Sequence, residues 1–226
     1  MKFLVLSDSH GDVDARDKLD AEWKAADAVL FGGDYAKFEH AETAEPVLKK
    51  LCAKHETIFS VLGNCDEPDF LAQIEAADVS VQGTLAYHEG LAFAGSGGGS
   101  KFTGTTPFER TEDELVSDFA VLKQDGADSQ WNNLVLIMHN PPKNTACDMI
   151  PGGIHVGSEK LRALVETISP LAIITGHIHE SAGIDHIGTT TVINPGSLAE
   201  GKYAWLEVTK NTDGAWTVTK AELRTL

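Results

Sequence analysis

The chain is short of cysteine, of positive charge and of long apolar runs. Its three cysteines, Cys52, Cys65 and Cys147, are widely spaced. An odd number without a Cys-x-x-Cys pair gives neither a disulfide framework nor a zinc knuckle, and it fits a reducing compartment. Lysine and arginine number 18 against 34 acidic residues, a formal net charge of −16. Non-specific binding to nucleic acid or an anionic membrane needs a basic surface, whereas this one repels phosphates. A phosphate ligand would therefore need local positive charge inside its site, which metal ions can supply. No apolar stretch approaches the ~20 residues needed to span a bilayer. The first apolar run, Phe3 to Leu6, stops just before Asp8 and does not read as a signal peptide. A cytoplasmic protein is expected, with no membrane partner and no long nucleic-acid partner.

What is present is an ordinary globular composition, 42% hydrophobic and 23% charged over 226 residues, enough to bury a core without staples. Bare apolar runs recur: Phe3–Leu6, Ala28–Phe31, Thr57–Leu62, Leu134–Met138 and Leu171–Thr175. Such runs are the habit of strands covered on both faces. Between them lie stretches of helical spacing at 12–27, 41–54, 69–76, 112–123 and after Ser158, a capping residue. Hairpins are expected at 84–94, 184–193 and 203–219. Strands alternating with helices indicate an α/β fold. The glycine-rich stretch from Gly95 to Lys101 lacks the Walker spacing and reads as a mobile surface loop rather than a linker. Residues 1–226 are expected to form one domain.

The five runs end in polar residues of one chemical type: Asp8-x-His10, Gly33-Asp34, Gly63-Asn64, His139, and His177-x-His179. Each has an ordinary explanation when taken singly. Asp8 could cap a helix, Asp34 and Asn64 could sit in turns, and the histidines could be satisfied strand ends. Together they make a set of oxygen and nitrogen donors without thiolate, which suits divalent manganese, iron, zinc or nickel. Ligands in open α/β sheets collect outside the carboxyl ends of strands.

The series Asp8-x-His10, Gly33-Asp34, Gly63-Asn64-x-Asp66, His139 and Gly176-His177-Ile178-His179 resembles the motifs of the calcineurin-like metallophosphoesterases. With His155-Val-Gly-Ser158 and Asn194-Pro-Gly-Ser197, it looks more specifically like a branch of small stand-alone bacterial and archaeal predicted phosphoesterases. The resemblance implies a four-layer α/β/β/α sandwich of two mixed sheets, the metallo-dependent phosphatase fold. It also implies two divalent metal ions. One is held by Asp8, His10, Asp34 and His179, the other by Asp34, Asn64, His139 and His177, with Asp34 bridging. The chemistry expected of such a pair is hydrolysis of a small phosphate ester by a bridging hydroxide.

One departure stands out. Many family members carry His after Gly-Asn, paired with the following acid, to protonate the leaving group. Here that place is Cys65, with Asp66 retained. A thiol is a poor substitute for an imidazole, so a diester is expected ahead of a monoester. Small packing is the simpler role for Cys65, and His155 is a candidate replacement acid although a surface histidine would explain it. Two other functions compete: a non-catalytic binding scaffold, as in the retromer subunit of this fold, and a nuclease of the same family. Filled ligand positions favour the enzyme, and the acidic surface disfavours the nuclease. A homo-oligomer is compatible with the sequence.

Overall fold

The computed structural model describes residues 1–123 and 131–226. Its strands are β1 (Lys2–Leu6), β2 (Ala28–Phe31), β3 (Ile58–Ser60), β4 (Leu85–His88), β5 (Leu91–Ser96), β6 (Gly99–Ser100), β7 (Glu109–Arg110), β8 (Leu134–Met138), β9 (Met149–Ile150), β10 (Ile154–His155), β11 (Ala172–Ile174), β12 (Gly183–Ile187), β13 (Thr190–Asn194), β14 (Lys202–Lys210) and β15 (Trp216–Thr225). The helices are α1 (Asp20–Ala25), α2 (Ala44–Lys54), α3 (Leu71–Ala76), α4 (Glu112–Ser117) and α5 (Glu159–Ile168). None is long and apolar enough to cross a membrane.

Two large mixed sheets carry the architecture. One has the order β15-β14-β1-β2-β3, the other β12-β13-β11-β8-β5-β4. In the first, β1, β2 and β3 run parallel. In the second, β5, β8, β11 and β13 run parallel. The apolar runs give three buried layers because both faces of each sheet are covered. Phe3, Val5 and Leu30 meet Phe93, Val135 and Ile137 between the sheets, with Phe59 and Phe93 stacked at 3.9 Å between ring centroids. Leu4, Leu6, Val29 and Phe31 point the other way, onto Trp23, Val47, Leu51 and Ile74 of the first helical layer. Ala92, Leu134, Leu136 and Ile173 pack against Leu115, Leu161 and Val165 of the second. This is the expected four-layer sandwich. Alternate residues of each bare run serve different cores, which is why no polar face interrupts them.

Local expectations change, beginning with the helices expected over 41–54, 69–76 and 112–123, each of which includes a 3₁₀ turn, at Ala41–Thr43, Pro68–Phe70 and Asp118–Lys123. The helix expected over 12–27 is broken into a 3₁₀ turn, Ala15–Lys18, and α1. Arg16 lies inside, donating to the Ser9 hydroxyl and the Asp12 carbonyl, and the Trp23 indole N–H donates to the Arg16 carbonyl at 2.8 Å. That carbonyl is then shared away from the helical ladder. The last strand runs to Thr225 rather than 219, because it pairs with β14 along its length down to Lys202 opposite Thr225, and a bulge at Glu207/Val208 breaks the period-2 pattern that would have shown it. The glycine-rich stretch is not a mobile surface loop: Gly95, Gly97, Gly98 and Gly99 are buried. A Cβ at Gly95 would lie 2.4 Å from Val61 Cγ1 and 2.7 Å from the Ile137 carbonyl. Glycine is there for close approach of two sheets.

Candidate metal centre

The parallel strands of both sheets deliver their carboxyl ends to one place. The turn after β1 is locked onto the turn after β2: Asp8 N–H donates to Gly33 O (2.9 Å), Ser9 N–H to Asp34 O (2.9 Å) and Gly11 N–H to Tyr35 O (2.8 Å). From the other sheet, Gly176 N–H donates to the His139 carbonyl at 3.1 Å. The loop after β13 closes the back. The Ser197 hydroxyl donates to the Asp8 carbonyl at 2.8 Å, and Leu198 N–H donates to Ser7 O at 2.9 Å.

These ties hold an unusual backbone. Asp8, His10, Asp34 and His177 have φ of 55°, 44°, 56° and 68°. Left-handed conformations cost non-glycine residues roughly 1–3 kcal/mol each and cluster where side chains must be aimed. Gly63 permits another close approach. A Cβ there would sit 1.9 Å from Asp34 Oδ1.

The strand-end side chains converge. His179 Nε2 lies 3.1 Å from Asp8 Oδ1 and 3.0 Å from His10 Nε2. Asp34 Oδ2 has His10 Nε2 at 3.7 Å and His139 Nε2 at 3.6 Å. His139 Nε2 meets Asn64 Oδ1 at 2.9 Å, while its Nδ1 meets the Gly32 carbonyl at 2.7 Å. The His177 ring lies 5.3 Å from that of His139, and its backbone N–H donates to Asp8. Among the described residues, Asp8 and Asp34 find ion pairs only with histidines. Two buried carboxylates, an amide oxygen and four imidazoles without a lysine or arginine fit divalent cations. The sets Asp8–His10–His179 and Asp8–Asp34–His139 each hold ligand atoms within 4.8 Å of one another.

The electrostatics agree with that donor set. Burial by itself would push the Asp8 carboxyl up. The hydrogen bond from His179 and the imidazoles of His139, His179 and His10 outweigh it and hold Asp8 well below the usual carboxylate range. Burial, with His139 beside it, brings His177 down to about 4 against the pull of Asp34 and Asp8. At neutral pH it is a free base, as a ligand must be. Burial also acts on His179, but the bond to Asp8 and the nearby carboxylates raise it above its ordinary value.

The remaining residues singled out in the sequence lie differently. Cys65 is buried beside the cluster, its N–H donating to Asp34 Oδ1 at 2.8 Å. Burial and Asp34 push its thiol far up. Asp66 is fully buried. Its carboxylate accepts from Ala36 N–H (2.7 Å) and Gly63 N–H (2.8 Å), pinning the turns after β2 and β3 together. Burial and Asp34 push Asp66 up to about 7 despite those bonds. His155 lies on the β9–β10 ribbon, with Nδ1 2.7 Å from Asp148 Oδ1. Sequence reasoning passed over Ser100 and Asn140, which meet through Ser100 N–H and Asn140 Oδ1 at 2.9 Å. It also passed over Arg16. Only the position of Asn140 directly after His139 offered a signal.

Two mixed sheets face to face, with carboxylates and imidazoles gathered at their strand ends, define the metallo-dependent phosphatase fold. Residues 1–211 match the calcineurin-like phosphoesterase superfamily domain, and the chain belongs to that superfamily. An uncharacterized protein of Methanocaldococcus jannaschii is 30% identical over 200 residues, covering 86% of this chain and 88% of its own. Among solved structures, the protein TT1561 of Thermus thermophilus matches with a TM-score of 0.73 at 20% identity, covering 99% of this chain and 98% of its own. A novel archaeal phosphodiesterase matches with a TM-score of 0.55 at 13% identity over 100% of both chains.

Proposed function

We propose that residues 1–226 act as one domain, a dinuclear metal-dependent phosphoesterase that hydrolyses a small phosphate ester and prefers a diester. One divalent ion would be held by Asp8, His10, Asp34 and His179, the other by Asp34, Asn64, His139 and His177. The observation that carries the reading is the place of Asp34, whose Oδ2 is approached by His10 at 3.7 Å and by His139 at 3.6 Å. A carboxylate flanked by one imidazole from each donor set is suited to bridging. Bound there, two divalent ions supply charge for the phosphoryl oxygens and lower the pKa of a water. Manganese, iron, zinc and nickel all suit these donors.

The chain's own residues set what the centre can do. The Gly32 carbonyl fixes the His139 ring, so Nε2 faces the centre. The Cys65 thiol stays protonated at neutral pH and is too weak an acid to hand a proton to an alkoxide leaving group. Asp66 is spent on two backbone amides. With the Cys65 thiol a poor acid and both Asp66 oxygens held by backbone amides, protonation of a leaving group is weak at this edge, and a diester, or an ester with a good leaving group, is favoured. The archaeal phosphodiesterase of the same fold is in keeping with it. Three free cysteines and no basic stripe suit a cytoplasmic enzyme acting on small molecules.

The test is metal analysis of the native protein with turnover of bis-p-nitrophenyl phosphate and p-nitrophenyl phosphate, for wild type and Asp34→Asn. Two metals per chain and diester turnover lost in Asp34→Asn are expected. A metal-free, inactive native protein would favour the scaffold.

A further inference from the structure

The imidazoles of the centre are held in different ways. His139 is fixed through its ring, with Nδ1 on the Gly32 carbonyl at 2.7 Å. His179 has its Nδ1 3.9 Å from Glu200 Oε1. His10 meets only other donors: its Nε2 faces His179, Asp8 and Asp34. Among the described residues its Nδ1 has no hydrogen-bond partner. A ligating histidine is ordinarily oriented by a bond on the nitrogen that faces away from the metal. His10 lacks that bond, so its direction is set by its backbone.

That backbone is wrapped against one buried side chain. His10 has a φ of 44°, which a residue with a side chain keeps only under restraint. On one side of it, Ser9 is buried with every polar group engaged. Its N–H donates to Asp34 O at 2.9 Å, its carbonyl accepts Asp12 N–H at 2.8 Å, and its hydroxyl accepts from Arg16 Nη2. On the other side, the Asp12 carbonyl accepts from Arg16 Nη1. One guanidinium therefore grips the turn both before and after His10. Arginine can do this because its donors form a rigid planar fork.

The place is an unfavourable one for a cation. Arg16 is fully buried, and burial brings it down to about 10, so it stays charged at neutral pH. Among the described residues it makes no ion pair. The carboxylate that acts on it most, Asp12, already accepts the N–H groups of Asp14 and Ala15. Arg16 Nε has no partner at all. A buried charge without a paired carboxylate lowers stability, and an apolar side chain of similar volume serves a core as well or better. Both side-chain bonds of Arg16 go instead to the turn that carries His10.

We infer that Arg16 is a positioning residue of the metal centre: through Ser9 and Asp12 it holds the turn that aims His10 at the position shared with Asp8, Asp34 and His179. The inference rests on the two-metal reading.

Manganese content after dialysis against a weak chelator, measured beside urea unfolding of the metal-free protein, tests it. Arg16→Met keeps an apolar stem and removes the fork. It should retain about one of two ions per chain, with affinity at the affected position down by about tenfold or more. Its urea midpoint should match or exceed that of wild type. Added to His10→Asn, Arg16→Met should cost no further metal, because the two act on one position. Two ions retained in Arg16→Met, both ions lost together with a fallen midpoint, or loss of the second ion in the double variant would each overturn the inference and leave the metal centre standing. Ser9→Ala removes the hydroxyl acceptor and decides the matter if Arg16→Met does not fold. A loss of about tenfold in manganese affinity there supports the clamp, and wild-type affinity overturns it. A wild type that binds no manganese would remove the two-metal reading itself, and this inference with it.

Discussion

His10 Nε2 and His179 Nε2 lie 3.0 Å apart, each from a different sheet's strand end. Two imidazole nitrogens at that separation either share one proton or present both lone pairs to a cation. Asp8 Oδ1 is 3.1 Å from His179 and 3.9 Å from His10. The trio therefore offers two nitrogens and a carboxylate to one point.

Metal stoichiometry follows from this geometry. His179→Asn and His10→Asn should each lose about one of two manganese ions per chain, whereas Asp34→Asn should lose both. Affinity at the affected position should fall by more than the roughly 10–100-fold that outer-shell losses cost. Elemental analysis after dialysis against a weak chelator reads the outcome. Equal losses in all three variants would separate Asp34 from the bridging role.

Gly63→Ala should disable the centre without touching a ligand. Its Cβ would stand 1.9 Å from Asp34 Oδ1 and 2.3 Å from Asp34 N, so the carboxylate must move. Overpacking of this kind costs about 1–3 kcal/mol. Urea unfolding should show that loss, and metal content should drop with it.

Ser197→Ala removes the hydroxyl that holds the Asp8 carbonyl at 2.8 Å. That bond is one of the ties around Asp8, whose φ is 55°. A stability loss of about 1 kcal/mol is expected, with metal affinity weakened by about tenfold or more. Metal affinity that is unchanged while stability falls would assign Ser197 to folding alone.

Cys65→His places an imidazole beside Asp34 and Asp66, where the thiol now stands. Monoesterase activity should rise relative to diesterase activity, by about 10²-fold if the new group acts as a general acid. The ratio of the two kcat/KM values checks it, and an unchanged ratio would refute the leaving-group argument.

Opposite pH slopes are expected in the metal-free protein. His177 titrates at about 4 when folded and 6.5 as a free side chain. Between those values the unfolded chain binds a proton that the folded one does not, so His177 makes stability rise with pH. Asp66 titrates at about 7 when folded against 3.8 when free. There the folded chain holds the extra proton, and stability falls as pH rises. His177→Asn should unmask the falling slope and Asp66→Asn the rising one, read from urea midpoints between pH 4.5 and 6.5 in chelator.

The core strands and the α/β class were legible in the sequence because the strands are buried on both faces, whereas the sandwich of two sheets came only with the family resemblance. Phe3–Leu6 or Leu134–Met138 can be nothing but core, and each is cut off by a polar turn. The same property exposed the donors, since Asp8, Asp34, Asn64, His139, His177 and His179 all stand just past such runs. The broken helix at Arg16, the extended last strand and the buried glycine stretch were not legible. Each depends on a contact outside its own run of residues: the Ser9 hydroxyl for Arg16, the β14 bulge for β15, Val61 and Ile137 for Gly95. The sequence by itself determined the core strands and the candidate donors at their ends, because burial periodicity and ligand chemistry are local. Only the tertiary structure decided how the donors are aimed, through left-handed turns held by hydrogen bonds between loops. It alone also brought Phe102, Ser100 and Asn140 around one cavity, because Asn140 comes from beyond the end of β8 to accept the Ser100 N–H.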